Sequence, residues 1–501
     1  MKKTLLFLSC ILTLIGSTSV LAQGQSGVYG FTAIPQSLLS NPATVQQSRF
    51  FFSLPGFSDA QLSLRNTGFS LDEIFKKGSD INQDVDKVLR NLTNEDYLML
   101  NAQVSNLYFG FNTKIGNFSF GTYNHMNMFY NIPSELLKVV RAVDDTYIGQ
   151  SMSLDHQHSS FTNYQTFHAG YQNQFLDDRL SLGLRFKYYK GLVNFQTEKF
   201  IFNIDRISNQ QLNITTDVVL NTSGAYEIEH GDPMNLLSGN NTGTSLDFGA
   251  SFKLNDKLSF SASVLDMGAK IKWSNDVKVH SANGTFEFDG LDIDLNDEDS
   301  FNEAIEELKE DVADALNFDE QRVNTSYTSI LPSHTYVSAQ YNFHKKHSLI
   351  GVYRLTSAEH YDYSSVSLKY FTQLTRPLQF IASVNMNSIE TQFGLGASLK
   401  LGPLQLFVIT ENVVGAFYPG RSKTLDTSFG INFLAYKKKD KKQNPEEDKE
   451  EELEVKKKEK KDEKKDKEKD TKASDKKKKE KKKKKEPKEK KEKKEKKTKK
   501  E

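Results

Sequence analysis

In TSLDFGASFKLNDKLSFSASV, residues 244–264, every second side chain is apolar. Leu246, Phe248, Ala250, Phe252 and Leu254 share one face, with Ser245, Asp247, Gly249, Ser251 and Lys253 on the other. After Asn255-Asp256 the pattern resumes, with Leu258, Phe260, Ala262 and Val264 opposite Ser259, Ser261 and Ser263. A strict period of two belongs to an extended chain, whose successive side chains point to opposite faces. Two such runs joined by a short polar turn predict a β-hairpin with one apolar and one polar face. LSLGLRFKYY (180–189) has the same form, with Leu182, Leu184, Phe186 and Tyr188 opposite Gly183, Arg185, Lys187 and Tyr189.

Six tight turns separate runs of this kind: Gly116-Asn117, Asp177 to Arg179, Asn255-Asp256, His344 to His347, Thr375 to Pro377, and Gly402-Pro403. They define twelve strands. RFFFSL (49–54) in front and TLDTSFGINFLAY (424–436) behind bring the expectation to about 14, within a range of 12–16. Other connections, roughly 55–97, 131–160, 201–243, 266–333 and 413–423, are long. A soluble sandwich also alternates, but its strands average about five or six residues. Several runs here are long enough for a tilted membrane-spanning strand of about 9–11 residues. Arg185, Lys187, Asp247 and Lys253 on the inner face suit a wet lumen better than a packed core. The expected fold is therefore all-β: a transmembrane antiparallel β-barrel with short periplasmic turns, long outer loops carrying one or two short helices, and a disordered C-terminal tail. Beyond the N-terminal leader no apolar run is long enough for a membrane-spanning helix.

The ends of the chain set its compartment. MKKTLLFLSCILTLIGSTSVLAQ has a basic start, an apolar centre and a small-residue exit, which predicts a signal peptide over 1–22 and Gln23 as the first mature residue. Cys10, the only cysteine, lies within that leader, so the mature fold uses neither disulfides nor thiolate metal sites. Residues 437–501 hold 34 Lys against 21 Asp and Glu, a net charge of +13 hidden in an overall +1. Such a block cannot bury a core and reads as a tail leaving the barrel into the periplasm at Lys437. Its cationic end suits an anionic envelope component or a protein partner, and export argues against nucleic acid. The remaining expected partners are outer-membrane lipid and the barrel-assembly machinery. The expected divisions are 1–22 signal peptide, 23–47 N-terminal periplasmic or lumenal segment, 48–436 barrel and 437–501 tail.

Two loops carry helical patterns, PSELLKVVRAV (133–143) and SFNEAIEELKEDVADALNF (300–318); the second has a Ser300/Glu303 capping box. Before it, DIDLNDEDSFNE resembles a calcium loop, making Asp292, Asp294, Asn296 and Glu303 candidate metal ligands. The template's central Gly is Asp297 here, and an acidic exposed loop explains the same residues. Asp155, His156 and His158 form a second, weaker candidate. No nucleophile elbow, phosphate loop or paired His-Glu helix motif appears, so neither an enzyme nor a cofactor is expected.

PQSLLSNPA (35–43) resembles the N-terminal Asn-Pro-Ala segment of FadL-like and PorV-like outer-membrane barrels, carried here by Asn41, Pro42 and Ala43. Residues 180–197, 259–273 and 404–433 together resemble a Bacteroidota outer-membrane family known only as a domain of unknown function. The resemblance covers about 25–436 and implies a fourteen-stranded barrel with the N-terminal segment near or inside the lumen. It supplies no activity; the fold-level likeness to FadL-like barrels implies passage or binding of a small molecule, apolar ones included, and that to PorV-like barrels a non-transporting role in envelope assembly or secretion. In SFSASVLDMGAKIKW, Asp266, Gly268 and Trp273 mark a bend or bulge at the strand's outer end, and Trp273 is a candidate interfacial anchor.

Overall fold

A computed structural model describes residues 27–436, apart from 58, 76–83, 85–86, 89, 136–147, 156, 209–210, 225–238, 289–318 and 323–324. The signal peptide, the tail, His156, the calcium-like loop, the 300–318 pattern and most of 133–143 lie outside the described residues.

Twenty strands are described. In chain order they are β1 (Phe50–Ser53), β2 (Ala60–Asn66), β3 (Tyr97–Thr113), β4 (Gly116–Asn131), β5 (Ser151–Ser153), β6 (Ser159–Phe175) and β7 (Leu180–Arg206). There follow β8 (Leu212–Ser223), β9 (Thr242–Lys253), β10 (Leu258–Trp273), β11 (Val277–Phe288), β12 (Asp319–Arg322), β13 (Tyr327–Ile330) and β14 (Ser333–His344). The last are β15 (His347–Ser357), β16 (Asp362–Gln373), β17 (Leu378–Asn387), β18 (Thr391–Leu401), β19 (Leu404–Thr410) and β20 (Thr424–Ala435).

Pairing closes the sheet. β3, β4, β6, β7, β9, β10 and β14 to β20 follow one another antiparallel, and β20 pairs with both β1 and β2, which pair in turn with β3. β1 and β2 are two halves of one wall position, and β13 and β14 of another, so the barrel has 14 strands. Closure removes the free edges that an open sheet would leave. All six expected tight turns connect consecutive wall strands at one end, and Phe50 pairs with Ala435 there, so the wall begins and ends at that turn end. The opposite end carries the longer loops, together with two short links, Ala358–Tyr361 and 388–390.

The alternation sets inside from outside as expected. Leu184 (50% exposed), Phe186, Phe248, Leu368 and Leu395 face outward in an apolar belt, while Arg185 (2%), Lys187 and Asp247 (0%) face inward and are buried.

Three expectations change. The connection 55–97 contains wall strand β2, because Leu54–Asp59 interrupts the first strand without ending it. Pro55 lacks a donor, Gly56 takes φ +76°, and Ile431 donates to the Phe57 carbonyl at 2.7 Å across the gap. The connections 201–243 and 266–333 contain β8, β11 and β12. β7 runs for 27 residues, far beyond a membrane crossing, and its outer half pairs with β5 and β8, with β11 and β12 continuing the sheet. This sheet forms a wall raised above one side of the mouth. Last, Trp273 is no interfacial anchor: it is 0% exposed and faces the lumen, donating from Nε1 to Ser329 Oγ at 2.6 Å.

Candidate functional site

From the turn end toward the middle, the lumen is filled by the N-terminal segment. Val28, Phe31, Ala33 and Ile34 pack on Ile381, Phe407 and Ile409, and Leu38 and Leu39 pack on Phe51, Tyr108 and Leu434. Tyr29 stacks on Tyr336 at 4.7 Å. Burial of these side chains against the wall stabilises the plug by roughly 1.5–3 kcal/mol per large apolar side chain, before entropy is charged.

Asn41, Pro42 and Ala43 lie inside the barrel, where Asn41 Oδ1 accepts from the Ala43 amide at 2.9 Å in a local turn. The wall is cut back to receive them. A Cβ on Gly183 would overlap the Pro42 carbonyl, and one on Gly249 would overlap the Asn41 side chain. Ser181 Oγ donates to the Ala43 carbonyl at 2.6 Å and Ser263 Oγ to the Ser40 carbonyl at 2.8 Å.

Arg185 joins plug to wall. Its Nη1 and Nη2 donate to the carbonyls of Leu38 (2.9 Å) and Leu39 (2.7 Å), in the short helix Ser37–Ser40, while Nε donates to Asp247 Oδ2 at 2.6 Å. A cation on the orphan carbonyls of a helical turn satisfies both. Lys187 completes the network, 3.1 Å from Asp247 and 2.7 Å from Asp266. Asp266 reaches Lys187 because β10 is irregular: Asp266 and Gly268 take φ +59° and +67°, and the register with β9 shifts on both sides of Met267. The irregularity is a bulge within the strand, several residues short of its outer end. Above it, Tyr164, Tyr189, Ile271 and Trp273 form an apolar layer with Leu331.

Beyond this layer a cavity of about 330 Å3 opens at the loop-end mouth, bounded by β3, β4, β6, β7, β13 and the link between β15 and β16. That link crosses the mouth. Tyr361 stacks on Tyr97 (5.2 Å) and Phe129 (5.4 Å), and His360 lies parallel to His158 at 4.2 Å. Of the Asp155, His156 and His158 candidate, His158 thus contributes a stacked ring. Among the described residues no group of three or more His, Cys, Asp or Glu is arranged to hold a metal ion.

Sequence reasoning missed the mouth cluster. Its one local signal is SAEHY (357–361), where alternation lapses between two strands.

Fold and interior together define a plugged, fourteen-stranded β-barrel with an apolar outer belt and a recessed cavity at its loop end. The chain belongs to a family of unknown function (DUF5723), whose model matches residues 42–411. No curated protein matches the sequence. Among solved structures the chain is similar to the toluene transporter TbuX of Ralstonia pickettii, at 10% identity over 80% of this chain and 94% of that one, TM-score 0.39. It is similar to the toluene transporter TodX of Pseudomonas putida, at 9% identity over 83% and 98%, TM-score 0.36. A FadL homologue of Pseudomonas aeruginosa matches at 11% identity over 80% and 94%, TM-score 0.35.

Proposed function

We propose that the chain is an integral outer-membrane protein that binds a small molecule with apolar surface at its loop-end mouth and passes it toward the plug. In this arrangement the signal peptide directs export, the tight turns face the periplasm, and the tail leaves into the periplasm at Lys437. The FadL-like and PorV-like character of Asn41-Pro42-Ala43, and a Bacteroidota origin, belong to the same reading. No enzymatic role is proposed.

One observation carries it: the cavity of about 330 Å3 lies at the loop end of a lumen whose other end is filled by the plug. Its size falls at the lower end of small-molecule sites, about 300–1,000 Å3. The outward Leu and Phe side chains support a lipid surround, since a water-facing barrel would expose this belt at high cost.

The test is uptake and swelling with purified full-length protein in liposomes. Saturable passage of small ring or chain compounds supports the proposal. Absence of flux and binding together with a co-purifying protein partner would sink it and favour a barrel serving envelope assembly or secretion through its loops and tail.

A further inference from the structure

The mouth cavity has two kinds of wall. One is apolar, with Met99, Met128, Ile330 and Leu331 beside the rings of Phe129 and Tyr361, which stack on each other to within 10° of parallel. The other is polar, with Asn101, Thr162, Gln196 and Glu198 among the side chains that border it. No Lys or Arg is among the described residues that line it.

We infer that this cavity takes an uncharged planar ring compound bearing hydrogen-bonding substituents, of the phenol or aromatic-amide type, in preference to a hydrocarbon or a fatty acid. The inference rests on the small-molecule reading above and narrows it. Flat rings present faces against which another ring stacks with offset or edge geometry. Thr162, Gln196 and Glu198 each accept one hydrogen bond from the protein, from Asn194, Ser329 and Asn221, but a hydrocarbon would strip water from their remaining capacity and from Asn101 without replacing it. A fatty carboxylate would meet Glu198 and Glu359, both exposed at the cavity rim and screened in part by solvent, with no lining cation to offset them. A ring with donors and acceptors satisfies both walls at once.

The chain carries its own reporter. Trp273 is the only tryptophan, and the Ser329 hydroxyl that accepts from its Nε1 also lines the cavity. The experiment titrates full-length protein in nanodiscs with 4-hydroxybenzamide, toluene and oleate, following Trp273 emission and subtracting empty nanodiscs. The expected result is a saturable change with 4-hydroxybenzamide and none with toluene or oleate at the same free concentration. Replacing the ring in Tyr361→Ala weakens 4-hydroxybenzamide by about tenfold. Asn101→Leu, similar in size, shifts the ranking toward toluene and leaves the barrel closed, judged by heat-dependent mobility in detergent gels. Saturation by toluene or oleate at equal or lower concentration overturns the polar-ring inference and leaves small-molecule binding standing. Saturation by none of the three overturns the inference, and the broader reading falls as well if liposome flux is also absent.

Discussion

Arg185 is the strongest single test of the plug. Arg185→Met keeps the length and apolar stem of the side chain and removes all its donors. The Asp247 contact is lost whether the plug is docked or released, so it cancels from the docking equilibrium. The bonds to the Leu38 and Leu39 carbonyls exist only in the docked state. Hydrogen bonds to a charged group contribute about 1.5–3 kcal/mol each. Taking the lower value, because released carbonyls regain water, the substitution costs about 3 kcal/mol of docking. That raises the released population roughly a hundredfold. Brief digestion of folded protein with a non-specific protease reads this population, provided that cleavage is slow relative to redocking. Cuts within 27–49 are expected to appear about a hundredfold faster in Arg185→Met while the barrel band survives. Arg179→Met, at an exposed turn where Arg179 donates to the Lys253 and Leu254 carbonyls, serves as the control and leaves the rate unchanged. Equal cutting rates in Arg185→Met and the parent, with the barrel intact in both, would show that the guanidinium does not hold the plug.

Gly183→Val should also release the segment: its side chain occupies the space of the Pro42 carbonyl, and the strain of about 1–3 kcal/mol is relieved only by withdrawal of 41–43. Trp273 emission should be blue-shifted and poorly quenched by brominated lipid, since the ring faces the lumen; strong quenching from the bilayer would restore the interfacial placement. The Ala358–Tyr361 link should loosen in acid. Partial desolvation, and then the neighbouring His158, hold the half-exposed His360 imidazole below its ordinary value of about 6.5, so the neutral form favours the stacked link and that contribution is lost as pH falls. A lower protection factor at the Ala358 amide, which donates to the Tyr361 carbonyl, measures the change once the intrinsic exchange rate at each pH is divided out, and His360→Phe should remove the pH dependence of that factor.

Most of the wall could be read from period-two alternation because a membrane barrel enforces it on both faces at once: lipid selects the outer set and the polar lumen the inner. Where one of those constraints lapses, so does the signal. NITTDVVLNTS in β8 and VKVHSANGTFEF in β11 stand in the raised wall above the mouth, with no lipid belt to select one face, and they read as loop. β2 was hidden by Pro55-Gly56, which are breakers on any local criterion. The lumenal place of Trp273 is legible in the alternation. It has the same odd parity as Ser259, Ser261 and Ser263 on the inner face, and the two register shifts flanking Met267 leave that parity intact. Beyond the lapse of alternation at 357–361 the mouth cluster leaves no local mark, because Phe129, His158 and Tyr361 are ordinary strand-end residues that only closure brings together.

Closure itself has a consequence for biogenesis. The pairing of Phe50 with Ala435 joins nearly the first and last residues of the wall, so the first strand must wait, half paired, for almost the entire chain. Until then two unsatisfied edges stand in lipid, where no solvent will pair with them. A truncation before Thr424 would therefore leave an open seam rather than a narrower barrel. Loss of the last dozen wall residues should abolish the heat-dependent gel mobility of the closed barrel.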